Sequence, residues 1–350
     1  MSSEEKVVSH LDPKTGKFIR GASSFRDAIS NIPGAEFPPE KGRYHLYASY
    51  ACPWAHRVMI VRKLKGLEDI IPFTSVHWHL DTGPEKGWRF VTQDESLPGE
   101  NVRPDPIHSD YVYLRQLYLA VDPEYSGRVT VPVLYDTKTS KIVNNESSEI
   151  IRMLYTEFNA ILPGQYAAID LLPKDLASQI DETNEWTYHN INNGVYKCGI
   201  CTKQEVYEAN VHELFAGLDR AEKHLATTPG PYYYGTQVTE ADVRLYVTII
   251  RFDPVYVQHF KCNIRDIRSG YPAIHKWLRK LYWEEEAFRS TTQFEHIKNH
   301  YTKSHLPLNP FGITPVGPLP NILGQDEEVG MVGFKGALHS DRQVDGNSGN

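Results

Sequence analysis

Long apolar runs are missing from this chain: nothing approaches the roughly 20 residues that a membrane-spanning helix requires, so no membrane partner is expected. Cysteine is scarce, with 4 in 350 residues at irregular spacing, which argues against a secreted disulfide framework. Basic blocks are absent too. The formal net charge is −7, from 37 basic and 44 acidic residues, so no nucleic acid held through its phosphates is expected as a partner. The opening MSSEEKVVSH holds neither the apolar centre of a signal peptide nor an Arg-rich amphipathic pattern. With these absences the expected location is cytoplasmic. No internal repeat stands out.

The remaining composition is that of an ordinary globular protein, 40% hydrophobic and 23% charged, long enough for two domains and a large core. Aromatics are the exception: 21 Tyr and 6 Trp suggest aromatic-lined clefts as well as core. The chain is organised around YHLYASYACPWAHRVMIVRKLKGL, from Tyr44 to Leu67. Its start, to Tyr50, has β character. A break at Ala51-Cys52-Pro53 follows, and then a helical pattern reaches about Gly66. Pro53 suits the first helical position, where its preset φ helps and its missing N–H would be unpaired anyway. Val58, Ile60, Val61 and Leu64 form the apolar face, and Arg57, Arg62, Lys63 and Lys65 are expected to point elsewhere. Gly66 stands where the helix should stop. Cys52 therefore lies at a strand-to-helix turn, facing free N–H groups and the positive end of the helix dipole. Such a setting lowers a thiol pKa from about 8.5 towards roughly 3.5–7.5, so Cys52 is expected to be a reactive thiolate rather than a small packing residue.

Before this stretch, residues 1–43 read as a turn-rich arm anchored by Phe18, Phe25 and Phe37. After it, the spacing predicts a strand over 71–80, giving a β-α-β crossover and hence a parallel pair. His77 and His79 share one face of that strand, but no carboxylate or Cys accompanies them at ligand spacing, so no metal is expected. The polar, Gly- and Pro-rich segment 81–108 carries a large aromatic, Trp88, expected to cover a ligand near the thiol rather than only plug the loop. A helix over 110–121 capped by Ser109 or Asp110 comes next, then a strand over 127–135 with Pro132 inside it. A cis Val131-Pro132 bond would free the Val131 backbone for an incoming peptide. Residues 141–143 read as an antiparallel partner strand, and Glu146, Ser147 and Ser148 open another helix. Its N-terminus offers N–H groups and a hydroxyl to a ligand carboxylate, although such residues more often serve only as caps. From about Pro173 strand signals vanish. Helices are expected over 174–196, 205–225, 240–252, 273–282 and 294–301, with Thr239 and Asp242 as a capping box. Cys198 and Cys201 form a CxxC without a preceding strand, a weak signal for redox or zinc chemistry. The Pro- and Gly-rich tail, 306–350, is expected to wrap the body and end in disorder.

A βαβ–ββα unit with an active Cys at its first helix, followed by helices alone, resembles a glutathione transferase. That fold class is α/β plus all-α: a thioredoxin-like glutathione-binding domain, here 44–160, then an all-helical substrate domain, here 173–305. CPWAHR, GRVTVPVL, IVNNESSEIIRM, INNGVYKCG, RFDPVY and HIKNHY, in that order from about Arg43 to about Pro315, resemble the xi class. These are the glutathionyl-hydroquinone reductases, relatives of the omega class. The thioredoxin-type CxxC has become Cys52-Pro53-Trp54-Ala55; a lone thiol cannot resolve itself, so glutathione supplies the second sulfur. The resemblance makes Cys52 the catalytic nucleophile. It gives the γ-glutamyl end of glutathione to Glu146 and Ser147, and the cysteinyl part to the Val131 backbone before Pro132. Trp88 and Arg128 hold the remainder, with Arg115 the other candidate for the arginine. Tyr196 and Tyr301 line a pocket for an aromatic, quinone-derived substrate. A homodimer without metal is implied. Two other functions stay open: an omega-like thioltransferase or dehydroascorbate reductase using the same Cys52, and a non-catalytic binding module.

Overall fold

A computed structural model describes residues 11–328. Four short strands make one sheet in the order β2-β1-β3-β4. They are β1 (Tyr44–Ala48), β2 (Phe73–Ser75), β3 (Val133–Asp136) and β4 (Lys141–Asn144). β1 runs parallel to β2, with Leu46 opposite Phe73, and antiparallel to β3, with Tyr47 opposite Val133. Helix α1 (Pro53–Leu64) is the crossover, α2 (Leu114–Val121) precedes β3, and α3 (Ser147–Thr156) follows β4. Counting helices of seven residues or more, the second half contains α4 (Ala177–Thr187), α5 (Gly194–Ile200), α6 (Gln204–Thr227), α7 (Glu240–Ile249), α8 (Pro272–Glu284) and α9 (Phe294–Ser304). Among the described residues no helix is long and apolar enough to cross a membrane.

Helix α1 is shared between the two halves, packing on α3 on one side and on α7 on the other. Residues expected to point away from its apolar face are covered as well: Arg57, Arg62 and Lys65 are at most 6% exposed. A buried charge needs partners, and each finds carbonyl or amide oxygens. Arg57 donates to Asn192 Oδ1 (3.0 Å), Arg62 to Glu68 O (3.0 Å) and Lys65 Nζ to Ile169 O (2.8 Å). Gly66 ends the helix as its position implies, at φ +59°, where an added Cβ would lie 2.6 Å from the Tyr166 ring.

Elements near the site are shorter than their patterns suggest, because loop backbone competes for their hydrogen bonds. β2 stops at Ser75, since the His77 N–H turns to Arg89 O at 2.9 Å. α2 starts only at Leu114, capped by Tyr113 with Gln116 rather than by Ser109 or Asp110, because Phe90 and Trp88 of the preceding loop pair with Val112 and Leu114. β3 begins after Pro132, which has no N–H for a ladder, while the Tyr118 hydroxyl takes Thr130 O at 2.9 Å. The helix expected over 174–196 breaks at a π-type turn, Tyr188–Asn192, before α5; a second such turn, Phe252–Tyr256, follows α7. Thr239 and Asp242 do form a capping box at α7. In the arm, Phe37 is 3% exposed in the core. Phe25 packs on Tyr118 and Tyr125, and Phe18 stacks on Tyr196. The tail lies along α8, where Trp283 Nε1 donates to Leu323 O (2.8 Å); its last residues, for which disorder is expected, fall outside the described residues.

Candidate active site

Cys52 is the N-cap residue of α1, extended at φ −81° and ψ 121°. Its Sγ lies 3.5 Å from Val131 O, with the thiol as donor, and the N–H groups of Ala55 and Trp54 reach the sulfur. Burial raises the thiol pKa, whereas those N–H groups and the charges of Arg251 and Arg20 pull it down. The balance stays above the ordinary thiol value. A depressed pKa was the expectation from the helix N-terminus; at only 9% exposure, desolvation of the thiolate outweighs the dipole.

Below Cys52, Arg251 ties the helical half to the strand-to-helix turn. Fully buried, it donates to Tyr50 O (2.9 Å), Ala51 O (3.3 Å) and Val247 O (2.8 Å). Its Nη1 also lies 2.9 Å from His56 Nδ1, and His56 Nε2 lies 3.0 Å from Thr291 Oγ1. Thr291 spends its own proton on Ala287 O, so the network assigns His56 the neutral tautomer protonated on Nε2. Burial and the Arg251 charge hold its pKa well below the usual imidazole value.

Opposite the sulfur stands the N-terminus of α3. Glu146 Oε1 accepts from Ser148 N (3.1 Å) and Ser148 Oγ (2.9 Å), and Oε2 accepts from Ser23 Oγ (2.9 Å) of the arm. Burial raises the Glu146 pKa, but these bonds and the Arg57 charge outweigh it and leave it below the usual carboxylate value. The Ser147 hydroxyl, in a residue 2% exposed, has no hydrogen-bond partner among the described residues. A buried polar atom without a partner is costly unless a ligand satisfies it, and a helix N-terminus suits a carboxylate.

The remaining expected residues converge on the same cavity, about 340 Å³ in volume, which Cys52, Trp88, Arg128, Val131, Pro132, Glu146, Ser147, Tyr196 and Tyr301 all line. That size suits a small-molecule ligand. The Val131-Pro132 bond is cis. Trp88 is buried and stacks on His300 with centroids 5.0 Å apart. Of the two arginines weighed, Arg128 lines the cavity and is pushed down to about 10 by burial and then by Arg20; Arg115, on α2, is not part of the lining. The Tyr196 hydroxyl lies 2.6 Å from that of Tyr301, which lies 2.9 Å from that of Tyr256. Burial raises all three pKa values, so each hydroxyl keeps its proton at neutral pH.

The histidine pair turns to local partners: His79 N donates to His77 Nδ1 (2.8 Å), and His79 Nδ1 pairs with Asp81 (2.6 Å). In the CxxC, Cys201 Sγ donates to Cys198 O at 3.1 Å, and both thiols are free. Sequence reasoning assigned no role to Arg251, Tyr256 or Arg20. The first two lie in RFDPVY, which served only as a motif of the family resemblance; Arg20 lies outside the quoted motifs.

A thioredoxin-like sheet with a cysteine capping its first helix, joined to a helical domain that completes the cavity, defines a glutathione transferase. Family models agree: "Glutathione S-transferase, N-terminal domain" matches residues 51–157 and "Glutathione S-transferase, C-terminal domain" matches 204–280. The chain belongs to the glutathione transferase family, and within it to the xi class. "Glutathione S-transferase omega-like 2" of Schizosaccharomyces pombe is 54% identical over 90% of this chain and 97% of its own length. "Glutathionyl-hydroquinone reductase YqjG" of Escherichia coli is 48% identical over 87% of this chain and 89% of its own. The crystal structure of the glutathione-S-transferase Xi from Phanerochaete chrysosporium is 53% identical, covers 90% of this chain and 97% of that one, and superposes with a TM-score of 0.85. The Xi glutathione transferase ECM4 of Saccharomyces cerevisiae, solved in complex with glutathione, is 46% identical over 89% of this chain and 100% of its own, with a TM-score of 0.82.

Proposed function

We propose that this chain removes glutathione from glutathionyl-hydroquinones. One cavity supports the reading, since it holds Cys52, the unpartnered Ser147 hydroxyl and the paired Tyr196 and Tyr301 hydroxyls. Glu146 and Ser147 bind the γ-glutamyl end of glutathione, Val131 pairs with its cysteinyl backbone, and Trp88 and Arg128 hold the glycyl end, Arg128 through a charge-assisted bond. The Cys52 thiolate attacks the sulfur of the substrate, forming a Cys52–glutathione disulfide as the carbon–sulfur bond breaks. The ring carbon keeps the bonding electrons and takes a proton relayed through Tyr196 or Tyr301, giving hydroquinone. A second glutathione thiolate attacks the glutathionyl sulfur, releasing oxidised glutathione and regenerating Cys52. The likeness to a relative named for this activity supports the substrate class. The tyrosine-lined half of the cavity favours a ring over the smaller substrates of a thioltransferase, and comparing kcat/KM for a glutathionyl-hydroquinone with that for a mixed disulfide of glutathione tests it. A preference for the mixed disulfide would transfer the chain to the thioltransferases.

Two outcomes follow for the glutathione half. Ser147→Ala is expected to raise KM for glutathione about 5- to 20-fold with little change in kcat, because one hydrogen bond to a charged group is lost in ground and transition states alike. An unchanged KM would remove Ser147 from the site. The raised Cys52 pKa sets the sign of the pH response. Below that pKa the thiolate fraction grows about tenfold per pH unit, so alkylation of Cys52 by iodoacetamide accelerates from pH 7 upwards, past the range of an ordinary thiol. A rate already level at neutral pH would show a depressed pKa instead.

A further inference from the structure

Among the described residues, Arg20 and Arg128 line the cavity together with one carboxylate, Glu146, whose oxygens are engaged by Ser148 and Ser23. Glutathione, as assigned above, occupies Arg128. Arg20 remains. It comes from the arm, which Ser23, Ser24 and Phe25 fasten to Glu146, Tyr125 and Asn145. Its guanidinium lies over the Trp54 ring at 4.2 Å and within 5.7 Å of the Tyr196 ring centroid, while Nε donates to Asn193 Oδ1 at 2.9 Å. The ring contacts hold the group in place and Asn193 uses one N–H. Among the described residues neither Nη makes a hydrogen bond or an ion pair, so that edge keeps its donors for a ligand. A planar fork held on an aromatic face, beside the ring that carries the tyrosine hydroxyl, is built to take a carboxylate bidentately.

We infer that Arg20 makes the aromatic half of the cavity selective for hydroquinone-type substrates bearing an acidic ring substituent, a carboxylate in the first instance. The inference rests on the function proposed above for the same cavity. It also gives the arm a task beyond packing: removing or displacing it takes away a recognition group.

The test compares glutathionyl adducts of plain hydroquinone and of hydroquinone carrying a ring carboxylate, with wild type, Arg20→Gln and Arg20→Lys. The ratio of kcat/KM for the acidic over the plain adduct is expected to fall about 10- to 100-fold in Arg20→Gln and to be partly restored in Arg20→Lys, which keeps the charge but loses the fork. Equal losses on both adducts would overturn the inference, since they would mean that Arg20 only holds the arm in place; so would an unchanged ratio. Should wild type turn over neither adduct, the proposed reaction fails and equilibrium binding decides the inference. The dissociation constant of the free hydroquinone carboxylate is then expected to rise about 10-fold or more in Arg20→Gln relative to that of plain hydroquinone, and parallel changes would refute it.

Discussion

Replacing Cys52 by alanine is expected to lower turnover of a glutathionyl-hydroquinone by at least about 10³-fold, to the limit of detection. The sulfur is the only atom in the cavity placed to form a disulfide: among the described cysteines, Cys198, Cys201 and Cys262 lie outside its lining. Nothing else takes over the attack, because the Tyr196 and Tyr301 hydroxyls stay protonated and the Ser147 hydroxyl is placed at the opposite helix. The fold should survive. Sulfur is a weak acceptor for the Ala55 and Trp54 N–H groups, and the thiol gives only a weak bond to Val131 O, so the stability cost is about 1 kcal/mol. Steady-state rates and circular dichroism on the same preparation separate the two effects. Substantial activity in a folded Cys52→Ala variant would refute the mechanism.

Arg251→Met carries the largest expected cost in stability, about 3–5 kcal/mol, read from the urea midpoint. Methionine keeps the stem and fills space, but Tyr50 O, Ala51 O and Val247 O lose their donor and His56 Nδ1 loses its partner, all inside the core. Each orphaned buried group costs roughly 1–3 kcal/mol, partly recovered by rearrangement. Two of those carbonyls belong to the residues just before Cys52. The variant should therefore also lose activity at temperatures where it remains folded, because the turn that aims the sulfur is no longer anchored. A loss below about 1 kcal/mol would show that the network contributes little.

These two residues mark where sequence was and was not sufficient. Cys52 was legible because local rules converge on it: a β-type run, a proline at the first helical position, an apolar face and Gly66 to stop the helix. The N-terminus of α3 and the capping box at Thr239 were legible for the same reason. Arg251 was not, since its partners are carbonyls about 200 residues away in sequence, and no local pattern announces a cation that will be buried. The same limit hid the burial of Arg57, Arg62 and Lys65, whose partners Asn192, Glu68 and Ile169 all lie outside α1. The Cys52 pKa shows the limit in energetic form. The helix N-terminus was visible in sequence, but the burial that outweighs it arises from tertiary packing. The turn at Tyr188–Asn192 was missed because the expected helix ran through it, and that at Phe252–Tyr256 lies where the next expected helix ended; these turns lead into Tyr196 and deliver Tyr256 to the tyrosine cluster.

The central claim is that Cys52 takes glutathione from an aromatic carbon. Intact mass of wild type and Cys52→Ala, after incubation with a glutathionyl-hydroquinone and no free glutathione, tests it most directly. The account requires one glutathione adduct on wild type, none on the variant, and free hydroquinone released in equal amount. An adduct formed from oxidised glutathione but not from the hydroquinone conjugate, or hydroquinone released by the alanine variant, would contradict it.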